Sequence, residues 1–338
     1  MSEIRFDPLT GRPVVVAENR LARPNEHAGT AAVPAVPADC PFCEGHEDRT
    51  PPELFAVRPA GAPPNGPGWT VRVIPNKFPS LSSDPAPAPG SGGGEFRSEP
   101  GFGYHEVLIE APHHAPLFPD LPLAARRTVL RTARDRVAAL AARARVRNVL
   151  LFENAGPESG GTLWHPHAQI VGTSVDLPRP TEELAAVRAR SAQRRETCPI
   201  ETIVAAERAA GTRWIGERDG LVAYAPYASE LPFEVRLSPE RHEASFAETT
   251  DAEVDALADL LPAVLRGIAR EVPGASYNWF VSSPSDAHPD RARHHWQLTV
   301  APRLVRPDGF ELGGGMAVNP ILPERAAERL RPHLVAPG

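Results

Sequence analysis

Two stretches of this 338-residue chain superimpose at a single offset of 128 residues, without a gap. Phe152 falls on Phe280, His167 on His295 and Gln169 on Gln297, and the loops between them have equal lengths. Each copy starts with apolar residues at helical spacing, 121–146 and 250–272, and continues into two apolar strands. The strands read NVLLFENAG and HAQIVGT in the first copy, SYNWFVSS and HHWQLTVAP in the second. Self-similarity at a fixed spacing is the mark of duplication. It predicts two related α+β halves, 1–178 and 195–330. The first reads HPHAQI where the second reads HHWQL, so one half keeps a site and the other a scaffold.

Composition narrows the function classes. The net charge of −6 gives no reason to expect nucleic acid or an acidic membrane as partner. No run of about 18 apolar residues and no charged-then-apolar leader is present, which predicts a soluble cytoplasmic protein. The 40 prolines, and arginine in place of nearly all lysine, read as a general composition bias rather than a binding patch. Lys77 is the only lysine. Residues 29–39 and 82–94, rich in Pro, Gly and Ala, read as linkers or insertions. Three cysteines are too few for a disulfide scaffold, but Cys40 and Cys43 form a CxxC that suggests metal or redox chemistry.

The stretch WHPHAQI, 164–170, carries the chemistry. On a strand, His165, His167 and Gln169 share one face. Pro166 gives up a ladder hydrogen bond, so it belongs at an edge or at the start of the strand. The loop before it holds Asn154, Gly156, Gly160 and Gly161, and glycines allow backbone N–H groups close to phosphate oxygens. A Gly-rich loop feeding HxHxQ points to phosphate chemistry. Two thiolates and two imidazoles make a four-coordinate zinc site. The residues leave His46, His113, His114 and His165 open as the partners of Cys40 and Cys43.

Six motifs in order resemble the galactose-1-phosphate uridylyltransferase family, the transferase branch of the histidine-triad superfamily. They are DPLTGRPVVVAENRLARP, CPFCEGHEDRTPPE, VIPNKFPSL, ENAGPESGGTLWHPHAQI, PYASELPFE and GFELGGGM. The resemblance implies two fused histidine-triad half-barrels, each a mostly antiparallel sheet with packed helices, and a homodimer. It makes His167 the nucleophile that accepts a nucleotidyl group, and His165 a zinc ligand with Cys40, Cys43 and His114 in one structural site. It implies nucleotide contacts from Arg20, Arg23, Asn76, Asn154, Gly161, Thr162 and Gln169. Lys77 and Phe78 share the Asn76 stretch, Gly160 the glycine loop, and Phe310 the GFELGGGM segment.

Gln169 stands where hydrolases of the superfamily carry a third histidine. A sugar 1-phosphate, with a second pKa of about 6, departs without protonation, so an amide donating to a phosphate oxygen suffices there. Ping-pong transfer through a phosphohistidine follows. The default substrates are UDP-glucose and galactose 1-phosphate, in galactose metabolism. The alternatives are a phosphorylase moving AMP from ADP-glucose to phosphate and a non-catalytic nucleotide- and zinc-binding protein. Two departures bear on this choice. Thr299-Val300-Ala301 replace the HxH pair with which some members bind a second metal, so no second metal is expected there. Gly314 and Gly315 replace the family's hexose-binding Tyr-Glu pair, which weakens discrimination of the sugar.

Overall fold

The computed structural model describes residues 2–22, 39–85, 95–96, 98–114, 117–194 and 198–334. Arg23 and most of the two expected linkers, 29–38 and 86–94, lie outside the described residues. The chain begins with β1 (Ser2–Phe6) and β2 (Pro13–Ala17), followed by β3 (Phe55–Val57), β4 (Val71–Pro75) and β5 (Gly103–Ile109). Helix α1 (Leu123–Ala141) leads to β6 (Asn148–Ala155) and β7 (His167–Thr173). Helices α2 (Pro178–Arg194) and α3 (Pro199–Ala210) precede β8 (Trp214–Arg218), β9 (Leu221–Tyr224) and β10 (Val235–Pro239). Then come α4 (Asp251–Glu271), β11 (Tyr277–Pro284), β12 (Leu298–Pro302), α5 (Gly309–Gly314), β13 (Ala317–Asn319) and α6 (Pro323–Leu330).

Ten strands form one sheet in the order β3-β4-β5-β7-β6-β11-β12-β10-β9-β8. The order reads alike from both ends, which is how the duplication looks in space. The seam is the antiparallel pair β6–β11, where Phe152 lies opposite Phe280. Residues related by the repeat face one another there, so an approximate two-fold axis passes between them. A smaller sheet, β1-β2-β13, ties the two ends of the chain together.

Strand alternation sorts the two faces of the large sheet. Val149, Leu151, Trp279, Val281, Leu298 and Val300 are buried in the main core with α1 and α4. A fully buried side chain of this size contributes about 1.5–3 kcal/mol. Thr250 and Glu253 close a capping box at the start of α4 and fix where the helix begins. Phe152, Asn154, Asn278 and Phe280 point to the other face and are only half-buried, so that face is free to build a site.

Two elements are shorter than the periodicity predicts. Helix α1 ends at Ala141, and Arg145 takes a φ of 68°, which stops the pattern before 146. The strand expected from 294 starts at Leu298. Residues 294–296 make their hydrogen bonds elsewhere: His294 donates to Ala244 O and the Trp296 N–H to Glu243 O. No helix among the described residues is long and apolar enough to cross a membrane.

Candidate active site

Pro166 sits just ahead of β7, where it costs no ladder bond, and its carbonyl accepts the Glu110 N–H at 3.2 Å. Strand β7 lies inside the sheet between β5 and β6. Its alternation sends Ala168 and Ile170 into the core beneath the helices and His167 and Gln169 to the opposite face.

The orientation of the His167 ring follows from donors and acceptors. Nδ1 lies 2.8 Å from the His165 carbonyl oxygen, which only accepts, so Nδ1 carries the proton. Nε2 is therefore left with a free lone pair. Burial pushes the His167 pKa below its ordinary value of about 6.5, partly opposed by the bond to His165, so the ring is neutral at pH 7. Phe42, inside the CPFC knuckle, packs edge-on against His167 with ring centroids 5.2 Å apart, and against His165 at 6.0 Å. The sequence offered no sign of this contact.

His165 has the opposite tautomer. Its Nε2 donates to Ala111 O at 2.8 Å, so the Nδ1 lone pair faces the knuckle. Nδ1 lies 3.6 Å from Cys40 Sγ and 3.7 Å from Cys43 Sγ, and His114 Nδ1 lies 3.8 Å from Cys43 Sγ. Tetrahedral zinc, with bonds of about 2.3 Å to sulfur and 2.0 Å to nitrogen, requires S···N edges of about 3.6 Å. All four ligand atoms lie within 4.8 Å of one another, so Cys40, Cys43, His114 and His165 fit a zinc ion. Burial and the neighbouring Cys40 push the Cys43 thiol up, and a cation is what would hold both as thiolates. Of the alternatives left open above, His46 donates from Nδ1 to Cys40 O at 2.6 Å and His113 is outside the cluster.

The remaining expected residues fall into separate groups. Asn76, after β4, and Gln169 both lie against His105, a residue outside the sequence motifs. Lys77 and Phe78 follow it on an exposed turn, Phe78 being 83% exposed. Asn154 Oδ1 accepts from Asn278 Nδ2 at 2.7 Å, and the same amide donates to Ser159 O at 3.0 Å, tying the glycine loop to β11. Gly161 passes so near Asn154 O that a Cβ would sit 2.9 Å from it. Gly160 and Thr162 are exposed beside it. Arg20 pairs with Asp308 at 3.0 Å, and Asp308 caps α5, which bears the half-exposed Phe310.

In the second half the corresponding ring is turned round. His295 donates from Nε2 to Pro239 O at 3.0 Å and points Nδ1 at Cys198 Sγ, 3.3 Å away. Cys198, His242 and His295 form a second cluster of candidate ligand atoms within 4.8 Å. These three residues, unlike an HxH pair after Gln297, make a second group that could hold a metal ion. A cavity of about 770 Å³ lies over this half, with Leu184 and Val187 of α2, Phe152, Phe280, Arg236 and Gln297 in its wall. Of the expected site residues that the structure describes, Asn154 alone lines it.

Residues 1–176 match the family model for the galactose-1-phosphate uridyl transferase N-terminal domain. The chain is 30% identical to ADP-glucose phosphorylase of Arabidopsis thaliana, over 97% of this chain and 92% of that protein. It is 27% identical to galactose-1-phosphate uridylyltransferase of Thermotoga maritima, over 98% of each. The crystal structure of an Arabidopsis thaliana ADP-glucose phosphorylase with bound ADP-glucose superimposes with a TM-score of 0.81, at 28% identity and 98% coverage of both chains.

Proposed function

The chain belongs to the galactose-1-phosphate uridyl transferase family and is a nucleotidyltransferase of that family; from this premise we propose transfer through a covalent nucleotidyl-His167. The observation that carries the proposal is the His167 tautomer. Its Nδ1 proton is held by the His165 carbonyl, which leaves Nε2 unprotonated and, among the described residues, without a hydrogen-bond partner.

In the first step the Nε2 lone pair attacks the α-phosphorus of a nucleoside diphosphate sugar. The bond from that phosphorus to the bridging oxygen breaks, and the sugar 1-phosphate leaves with the electron pair. No proton moves, because the leaving phosphate is stable as an anion. The positive charge on the nucleotidylated ring is offset by the carbonyl dipole at Nδ1. In the second step an acceptor phosphate oxygen attacks the same phosphorus, and the P–N pair returns to Nε2. Cys40, Cys43, His114 and His165 would hold one zinc ion, whose part is to cross-link the knuckle to the start of β7 and so aim the ring. On this reading the first half, 1–178, holds the nucleophile, and the second, 195–330, is the scaffold in which His295 is turned onto Cys198.

We propose ADP-glucose as donor and inorganic phosphate as acceptor, giving ADP and glucose 1-phosphate. The similarity to ADP-glucose phosphorylase over nearly the whole chain supports this choice, as does the Gly314-Gly315 replacement. A second reading, UDP-glucose with galactose 1-phosphate, draws support from the Thermotoga maritima relative. Intact mass after brief mixing with ADP-glucose, or separately with UDP-glucose, and no acceptor, decides between them. An AMP adduct, absent in His167→Ala while zinc content is unchanged, is the expected result. Turnover retained in His167→Ala would refute the role of His167, and a UMP adduct alone would establish the second reading.

A further inference from the structure

His105 lies on β5, one diagonal step from Gln169 across the β5–β7 pairing, with both side chains on the half-open face. Three groups surround its ring. The Ser80 backbone N–H reaches Nδ1 at 3.1 Å. Gln169 Oε1 and Asn76 Nδ2 lie 2.8 and 3.1 Å from Nε2. A main-chain N–H has no alternative to donating, so Nδ1 must be the bare nitrogen and Nε2 the protonated one. Nε2–H then donates to Gln169 Oε1. That bond occupies the amide oxygen and leaves the NH₂ end of Gln169 as the face shown to a ligand. Asn76 is fixed in the same sense: its Oδ1 accepts from the Phe78 N–H at 2.8 Å. Its Nδ2 cannot donate to a protonated nitrogen, so its N–H groups also remain for a ligand.

We infer that His105 is a positioning residue: through its Nε2–H tautomer, set by the Ser80 main chain, it holds Gln169 with the amide N–H groups toward the transferred phosphoryl group. This rests on the nucleotidyl-transfer reading above. A glutamine amide has nearly equal ends, and a rotation of 180° about its last bond exchanges a donor for an acceptor. An acceptor aimed at phosphate oxygens repels them. A donor stabilises the charge that develops there, and one such donor is worth about 10²–10³ in rate. The third histidine of related hydrolases is thus replaced by a neutral donor whose direction comes from a different strand.

Two measurements test the inference. Imidazole ¹⁵N–¹H correlations, with the His105 signals identified by their loss in His105→Gln, read the tautomer directly. Protonated Nε2 with bare Nδ1 is expected, and an Nδ1–H ring at pH 7 overturns the inference whatever the activity. In kinetics, His105→Leu should slow adduct formation by about 10- to 100-fold with KM changed by less than about threefold. His105→Gln, which restores an N–H at similar reach, should return the rate to within about threefold of the parent. In a Gln169→Ala background, His105→Leu should cost less than about twofold more, because the residue acts through Gln169. The full penalty in that background would mean a general structural role and overturn the inference. If the parent enzyme forms no adduct with any nucleotide sugar, the transfer reading falls, and the tautomer alone then judges the His105–Gln169 pair.

Discussion

Gly156, at the entrance to the glycine loop, is a position where one added methyl group should be costly in two ways. Its φ of 85° and ψ of 165° fall in a region that residues with a Cβ essentially do not enter. Placing alanine there costs about 1–3 kcal/mol in backbone strain. The new Cβ would also lie 2.4 Å from Ser276 Oγ, 3.0 Å from Ser276 Cβ and 3.2 Å from its Cα. Ser276 is buried and accepts the Glu158 N–H, so it cannot step aside freely. Overpacking of this kind adds about 1–3 kcal/mol. Gly156→Ala should therefore lose about 2–6 kcal/mol of stability in urea unfolding. It should also raise KM for the nucleotide sugar, because the displaced loop carries Gly161 and Thr162. The two causes separate in a cycle with Ser276→Gly, which removes the Oγ and Cβ contacts but leaves the strain. A coupling of about 1–3 kcal/mol between the two substitutions is expected. Coupling below about 0.5 kcal/mol would show that the contact is not there. Full recovery in the double variant would show instead that the conformation is not strained.

Three other predictions follow from the site and its surroundings. Cys40→Ser should lower zinc content by one ion per chain relative to the parent and reduce thermal stability, since the binding free energy of a structural zinc is folding free energy of about 10–16 kcal/mol; zinc content equal to the parent's by elemental analysis would contradict the ligand set. On the nucleophilic role proposed for His167, attack needs the neutral ring, and since burial depresses its pKa, activity should be lost only as pH falls through a value below about 6.5. An acid limb in kcat/KM centred above 6.5 would refute that. Glu110 and Glu153 are both buried, and neither oxygen of Glu110 has a hydrogen-bond partner among the described residues. Burial, with the charge of Glu153, raises Glu110 well above the usual carboxylate range, and burial, partly opposed by the Trp279 hydrogen bond, pushes Glu153 up to about 8. The folded protein therefore holds more protons than the unfolded chain above about pH 4.5, and stability is lost as pH rises toward 8, by up to about 1.4 kcal/mol per unit per proton. Glu110→Gln should flatten that slope, and its unfolding free energy should exceed the parent's by more at pH 8 than at pH 5; an equal difference at both would exclude the buried acid pair as the cause.

What the sequence determined by itself was periodic and local. The 128-residue offset predicted two related α+β halves; that they join at a seam with Phe152 against Phe280 came from the structure. Alternation set His167 and Gln169 on the face opposite Ala168, and Pro166, expected at an edge or at the start of the strand, precedes β7 directly. These patterns are legible because strand and helix repeats are set by each residue's near neighbours. The tertiary structure decided which atoms meet across long separations. It brought His114 rather than His113 to the CxxC, and it gathered Cys198, His242 and His295, which share no local spacing, into one cluster. It also carried His105 to Gln169, 64 residues away, by pairing β5 with β7. Ring chemistry was settled at the same level. His167 and His295 occupy one register of the repeat, yet the His165 carbonyl frees Nε2 of the first, while the Pro239 carbonyl and Cys198 engage both nitrogens of the second. A tautomer is fixed by whichever carbonyl or N–H the fold places within about 3 Å of each nitrogen, and residue identity does not encode that distance.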